Sequence, residues 1–204
     1  AAMGPGIKLE SSDVLIITDM QNCFMPGGSL PVTEGDSIIG PLNTALELFA
    51  SAGLPVIFTR DWHPPDHCSF RVRGGPWPVH CVQGTEDAAF SLKLHAPPAR
   101  PMVISKAVDP NKEQYSAYYG RDEAGRTMAE NLRALKAKRI FIGGVATEYC
   151  VFNTVLDMLK DGYNVLVFED GVKPVEVKPG DGAAALENME KRGARLIRTL
   201  QLRS

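Results

Sequence analysis

Long apolar runs are missing. None approaches the roughly 20 residues that a membrane-spanning helix needs, so no membrane partner is expected. A surplus of either charge is missing too. Against 22 Lys and Arg stand 24 Asp and Glu, and the two signs are mixed along the chain. That balance gives no electrostatic case for nucleic acid or an anionic lipid surface. The first ten residues lack the apolar stretch of a secretory signal and read as a short tail, so the cytoplasm is the expected compartment. Cysteine is scarce: Cys23, Cys68, Cys81 and Cys150 form no C-x-x-C pair and no evenly spaced framework. In a reducing compartment they are expected to be free thiols, which leaves the question of which one is reactive. No repeat, low-complexity segment or linker divides the 204 residues, and a single domain is expected.

What is present is a recurrence of short apolar runs rich in β-branched residues: Val14–Ile17, Pro55–Phe58, Met102–Ile104, Ile140–Ile142, Val165–Phe168 and a weaker sixth at Ala194–Ile197. Continuous rather than alternating apolar character marks strands covered on both faces. Helical spacing appears between them. Leu42, Leu46 and Phe49 share a face that stops at Gly53, and Met128, Leu132 and Leu135 repeat the pattern. Val151, Val155, Met158 and Leu159 run to Gly162, and a last helix is expected from an Asp181 N-cap through Leu186 and Met189 to Gly193. Strand alternating with helix predicts an α/β three-layer sandwich on a parallel sheet.

Two connections, from about Arg60 to Thr85 and from about Lys106 to Gly125, exceed the roughly 2–6 residues usual in such scaffolds. Long loops at the carboxyl ends of parallel strands are where α/β proteins keep their sites. Asp19, Asp61, Lys106 and Gly143-Gly144 each fall just after an expected strand, so they should meet on one edge of the sheet.

Cys150 is expected in a first helical turn capped by Thr147. There, free N–H groups and the helix dipole would favour thiolate and could hold an oxyanion. The bland alternative is a small buried residue of the helix. A phosphate loop fits poorly, because Gly143–Glu148 has neither the G-K-[ST] ending nor G-x-G-x-x-G spacing. Asp19 could cap a turn, or act as base toward a nearby thiol. Lys106 could be solvated, or reach inward to orient Asp19 and stabilise a thiolate. Asp61 and His63, two apart on an extended segment, point to the same side, and the Gly74–Pro78 bend could return His80 to them. Two imidazoles and a carboxylate suit one divalent ion, Zn²⁺ foremost, with Fe²⁺ or Mn²⁺ as the other candidates. His67 could be a helper of these ligands or structural, and His95 has no partners in its segment. Aromatics make up only 7% of the chain, yet Phe24 and Trp77 lie in these same segments. They could sandwich a flat ring or simply pack in the core.

Taken together, D-M-Q-N-C-F from Asp19, T-R-D-W-H from Thr59, W-P-V-H-C-V-Q-G-T from Trp77, Lys106, and G-G-V-A-T-E-Y-C-V from Gly143 resemble the nicotinamidase branch of the isochorismatase-like cysteine hydrolases, over roughly Asp13 to Ile197. The resemblance implies a six-stranded parallel sheet, a catalytic set of Asp19, Lys106 and Cys150, and a metal on Asp61, His63 and His80. It also implies a cis Val145–Ala146 bond, with the backbone N–H groups of Ala146 and Cys150 as oxyanion hole, and Phe24 and Trp77 flanking the substrate ring. Departures are Cys23 where the family often has Asp, and no acidic residue between Asp66 and Glu86 to serve as an additional ligand. Tyr115, Tyr118 and Tyr119 are left open as pocket residues. Isochorismatases proper lack the cysteine. The implied activity is hydrolysis of nicotinamide, and of the isosteric pyrazinamide, in NAD salvage. The alternatives are an N-carbamoyl or ureido amidohydrolase, and a non-catalytic metal-binding protein. A small molecule is the expected partner, and self-association is left open.

Overall fold

The computed structural model describes residues 4–97 and 99–204. Besides short 3₁₀ and π turns, the elements in chain order are β1 (Ile7–Lys8), β2 (Asp13–Thr18), α1 (Ile39–Ser51), β3 (Val56–Asp61), β4 (Met102–Lys106) and α2 (Met128–Ala134), then β5 (Arg139–Val145), α3 (Phe152–Lys160), β6 (Asn164–Lys173), α4 (Asp181–Lys191), β7 (Arg195–Ile197) and β8 (Leu202–Arg203). Six strands form one sheet in the order β4-β3-β2-β5-β6-β7, and every pair in it is parallel.

The apolar runs are continuous because both faces of the sheet are covered. Leu15, Ile17 and Phe141 point to a core closed by α1 through Leu42, Leu46 and Phe49, all fully buried. Val14, Ile16, Ile140 and Ile142 point to the opposite core, closed by α2, α3 and α4 through Met128, Leu132, Val155, Met158 and Met189. Each such large side chain contributes about 1.5–3 kcal/mol on leaving water.

The chain starts the sheet at β2, runs outward to β3 and β4, and returns to place β5 on the other side of β2. That reversal opens a crevice at the carboxyl ends of β2 and β5, the place where open α/β sheets bind ligands. The close approach there needs glycine. Gly144 has φ 115°, and a Cβ on it would lie 2.1 Å from the Thr18 carbonyl oxygen.

Some local expectations are corrected. Asp61 and Lys106 are the last residues of β3 and β4, paired across the ladder, and Gly143-Gly144 lies inside β5. Asp181 is the first residue of α4 and Gly180 the N-cap, at φ 93°. The stretch expected as a tail is tied down from Ile7, where β1 pairs with β8, while residues 1–3 lie outside the described residues. No helix among the described residues is long and apolar enough to cross a membrane.

Candidate active site

Asp19 leaves β2 at φ 50°, a left-handed conformation that aspartate tolerates better than most residues. Its Oδ1 accepts from the Thr59 hydroxyl at 2.6 Å and its Oδ2 from the Lys106 ammonium at 2.8 Å. The same ammonium donates to Asp61 Oδ1 and to Cys150 Sγ, the latter at 3.2 Å. Lys106 is fully buried. Burial works against its charge, but Asp19 and Asp61 outweigh that and hold it well above the ordinary lysine value.

Cys150 sits in a π turn, Thr147–Val151, between β5 and α3. Thr147 does not cap it: the N-cap is Ala146, no side chain bonds the first turn, and the Thr147 hydroxyl is buried without a partner among the described residues. The expected lowering of the thiol is therefore corrected. Burial pushes Cys150 well above the usual thiol value, and the pull of Lys106 is offset by Asp19 and Asp61. A thiol in this state needs a base. Burial raises Asp19 as well, against the pull of Lys106, which makes its carboxylate more basic than an exposed one.

Asp61 faces two ways. Its Oδ1 holds Lys106, while its Oδ2 lies 3.6 Å from His63 Nε2 and 3.9 Å from His80 Nε2. Burial alone would raise this carboxylate, yet Lys106 and His63 keep it far below the carboxylate range. Both imidazoles are oriented from behind. His63 donates Nδ1–H to the Ala107 carbonyl at 3.0 Å, and His80 donates Nδ1–H to the Pro78 carbonyl at 2.8 Å. A carbonyl can only accept, so in the neutral imidazoles each Nε2 turns a lone pair inward, and the two lie 3.2 Å apart. Burial opposes a charge on His63, but Asp61 outweighs it and raises the ring above the usual imidazole value. Burial pushes His80 down to about 4, which keeps its lone pair free. Two inward lone pairs and a carboxylate oxygen on buried side chains are a donor set for a divalent cation, and the bonds on each Nδ1 are the supports such ligands require.

Gln21 fixes the Asp61 backbone, accepting its N–H at 2.9 Å and donating to its carbonyl at 2.8 Å. Gln21 and Thr59 stand inside the quoted motifs, yet neutral polar side chains at these positions carry no signal of a site role in the sequence alone. His67 is not among the donors. Its nitrogens are taken by the Ser69 hydroxyl (2.7 Å) and the Lys112 carbonyl (2.8 Å), and its ring stacks on His63.

The donor set and Cys150 open on one narrow cavity. Phe24, Trp77, Ala146 and Cys150 all line it, with Tyr149, Leu30 and Val175. Of the three open tyrosines only Tyr115 reaches it, accepting from Trp77 Nε1–H at 3.1 Å. Tyr118 is fully buried against Asp161, and Tyr119 is largely in solvent. The Val145–Ala146 bond is cis, as the resemblance implies. Two cysteines are not free thiols: Cys23 and Cys81 are joined in a disulfide. The sequence hid this pair because 58 positions separate two residues that folding brings to a Cα–Cα distance of 5.6 Å. Cys23 adjoins Phe24 and Cys81 adjoins His80, so the bond ties together two segments that line the cavity. Cys68 and Cys150 remain free.

The sequence profile of the isochorismatase domain matches residues 13–201. The chain belongs to the isochorismatase family. Within the family, a nicotinamidase of Escherichia coli (strain K12) is 36% identical over 198 residues, which are 89% of this chain and 92% of that one. A crystallised pyrazinamidase of Pyrococcus horikoshii in complex with zinc is 48% identical, with a TM-score of 0.83, covering 92% of this chain and 99% of its own. PnC1 of L. infantum, in complex with nicotinate, is 35% identical, with a TM-score of 0.86 and coverages of 97% and 98%. The six-stranded parallel fold expected from the family resemblance is the observed one.

Proposed function

We propose that this chain is a nicotinamidase, hydrolysing nicotinamide to nicotinate and ammonia and accepting pyrazinamide as well. One observation carries the reading. A buried thiol with its base and a cation opens on the same small cavity as two imidazole nitrogens and a carboxylate. A ring amide with an in-ring nitrogen presents matching ends, an electrophilic carbon and a lone pair. Relatives at 36%, 48% and 35% identity carry the names nicotinamidase, pyrazinamidase and a nicotinate complex.

In the mechanism, Asp19 takes the proton of Cys150, and Sγ attacks the carboxamide carbon. Lys106 holds Asp19 in place and compensates the charge that develops on sulfur. The oxyanion rests on the N–H groups of Ala146 and Cys150. Asp19 then returns the proton to the amine, ammonia leaves, and a thioester remains. Water, deprotonated by Asp19, attacks the thioester and frees nicotinate and the thiol. Phe24 and Trp77 confine the ring and exclude water from the reacting carbon. Asp61, His63 and His80 would hold a divalent ion, with Zn²⁺ the favoured identity and Fe²⁺ or Mn²⁺ the alternatives. Such an ion would supply a Lewis-acid site for the ring nitrogen and so help position the substrate.

An N-carbamoyl or ureido substrate would leave this donor set without a task. The physiological role inferred is NAD salvage in the cytoplasm. The Cys23–Cys81 bond sets a condition on that placement, since reducing compartments disfavour structural disulfides outside hyperthermophiles. The test is ammonia release from nicotinamide, set against N-carbamoylsarcosine and biuret. Turnover of nicotinamide by the wild type and none by Cys150→Ala is expected; inert wild-type protein, or an active Cys150→Ala, would overturn the reading.

A further inference from the structure

The cavity wall beyond β6 is held by a side chain. β6 ends at Lys173, and the next backbone N–H groups, those of Val175 and Glu176, both donate to Glu148. Glu148 Oε1 accepts from Val175 at 2.9 Å and Oε2 accepts from Glu176 at 2.8 Å. Glu176 stands at φ 59°, a conformation that a β-carbon disfavours and that its surroundings must therefore impose. Its own carboxylate continues the chain of contacts, accepting from the Gly182 N–H in the first turn of α4 at 3.1 Å.

The placement of this clip gives it a consequence. Glu148 belongs to the same π turn as Cys150, two residues before it, but it does not line the cavity. Val175 does, together with Tyr149 and Ala146. The position of Val175 in the cavity lining is thus tied to a carboxylate anchored in the nucleophile's own turn. Two acceptor oxygens on one planar group match two consecutive N–H donors, and no neutral side chain supplies that pair. Glutamine keeps one acceptor and turns an NH₂ toward the other N–H.

We propose that Glu148 is a positioning residue that clips Val175 against the cavity and so sets how large a ring amide the site accepts. The proposal rests on the nicotinamidase reading for its substrate class, and on the hydrogen bonds alone for the clip. The experiment compares Glu148→Ala, Glu148→Gln and Val175→Ala with wild type in kcat and KM for nicotinamide and 5-methylnicotinamide, and in hydrogen exchange at the Val175 and Glu176 amides. Glu148→Ala is expected to raise KM for nicotinamide about tenfold with kcat little changed, because the lost contacts position a wall and touch no reacting atom. It should narrow the preference for nicotinamide over its methylated analogue and lose protection at both amides. Glu148→Gln should lose protection at one amide and fall between. Val175→Ala should narrow the same preference with protection intact. Unchanged protection in Glu148→Ala overturns the clip. Unchanged preference, or a fall in kcat at constant KM, overturns its role in the cavity. Should wild type not turn over nicotinamide, the parent reading fails, and amide protection alone then decides the clip.

Discussion

Replacing Lys106 by methionine removes one positive charge from a fully buried position while keeping most of the side-chain volume. In the wild type the ammonium is fully buried and bonded to Asp19, Asp61 and Cys150. Losing it leaves two buried carboxylates without their counter-charge, a change that costs about 3–5 kcal/mol when one partner of a buried pair is removed. For a chain of this size that lowers the melting temperature by about 6–20 °C. The sign of the pH dependence follows from the same groups. Burial already raises Asp19, and Asp61 is held low chiefly by Lys106. In Lys106→Met both carboxyls move up, so the folded state holds protons that the unfolded state has released. Stability of the variant then falls as pH rises from about 4 through the new folded values. The gap from wild type is therefore widest at pH 7–8 and closes toward pH 4–5. A protonated Asp19 is no base, and hydrolysis at neutral pH should drop by about 10²–10⁴-fold. The assay is urea unfolding of the metal-free proteins at pH 7.5 and pH 5, with ammonia release measured alongside. A variant within 1 kcal/mol of wild type, by the same margin at both pH values, would refute the charge argument.

Two further outcomes are expected. His80→Ala removes one of the two inward lone pairs, and should weaken zinc binding by at least about 100-fold and raise KM for nicotinamide; stoichiometric zinc after exhaustive dialysis of the variant would dismiss this donor set. Replacing Cys23 and Cys81 together by serine reopens a loop of 58 positions, and chain-entropy arguments put the loss near about 4 kcal/mol. Wild type treated with dithiothreitol should match that double variant in urea unfolding, and a loss below about 1 kcal/mol would mean that the ligand loop holds itself without the disulfide.

The sheet was legible in the sequence because strands covered on both faces must be apolar throughout, and that requirement acts on neighbouring residues. The same local logic put Asp19, Asp61 and Lys106 at strand ends, and the two-residue spacing of Asp61 and His63 on one side of an extended segment. Recruitment of His80 rested on family resemblance together with a Gly-Pro bend, and its lone pair became visible only through the Pro78 carbonyl behind its ring. What the chain order could not reveal depends on distance in space. Desolvation decides the state of Cys150. The thiol read as activated by a helix start is raised by burial and by two carboxylates drawn from other strands. The Cys23–Cys81 bond, the Gln21–Asp61 amide pair and the Glu148 clip each join segments at least 27 positions apart. Periodicity constrains which face a residue shares with its near neighbours. Burial, pairing and charge compensation belong to the folded whole, and they made a reactive site of residues that the sequence had only brought to one edge.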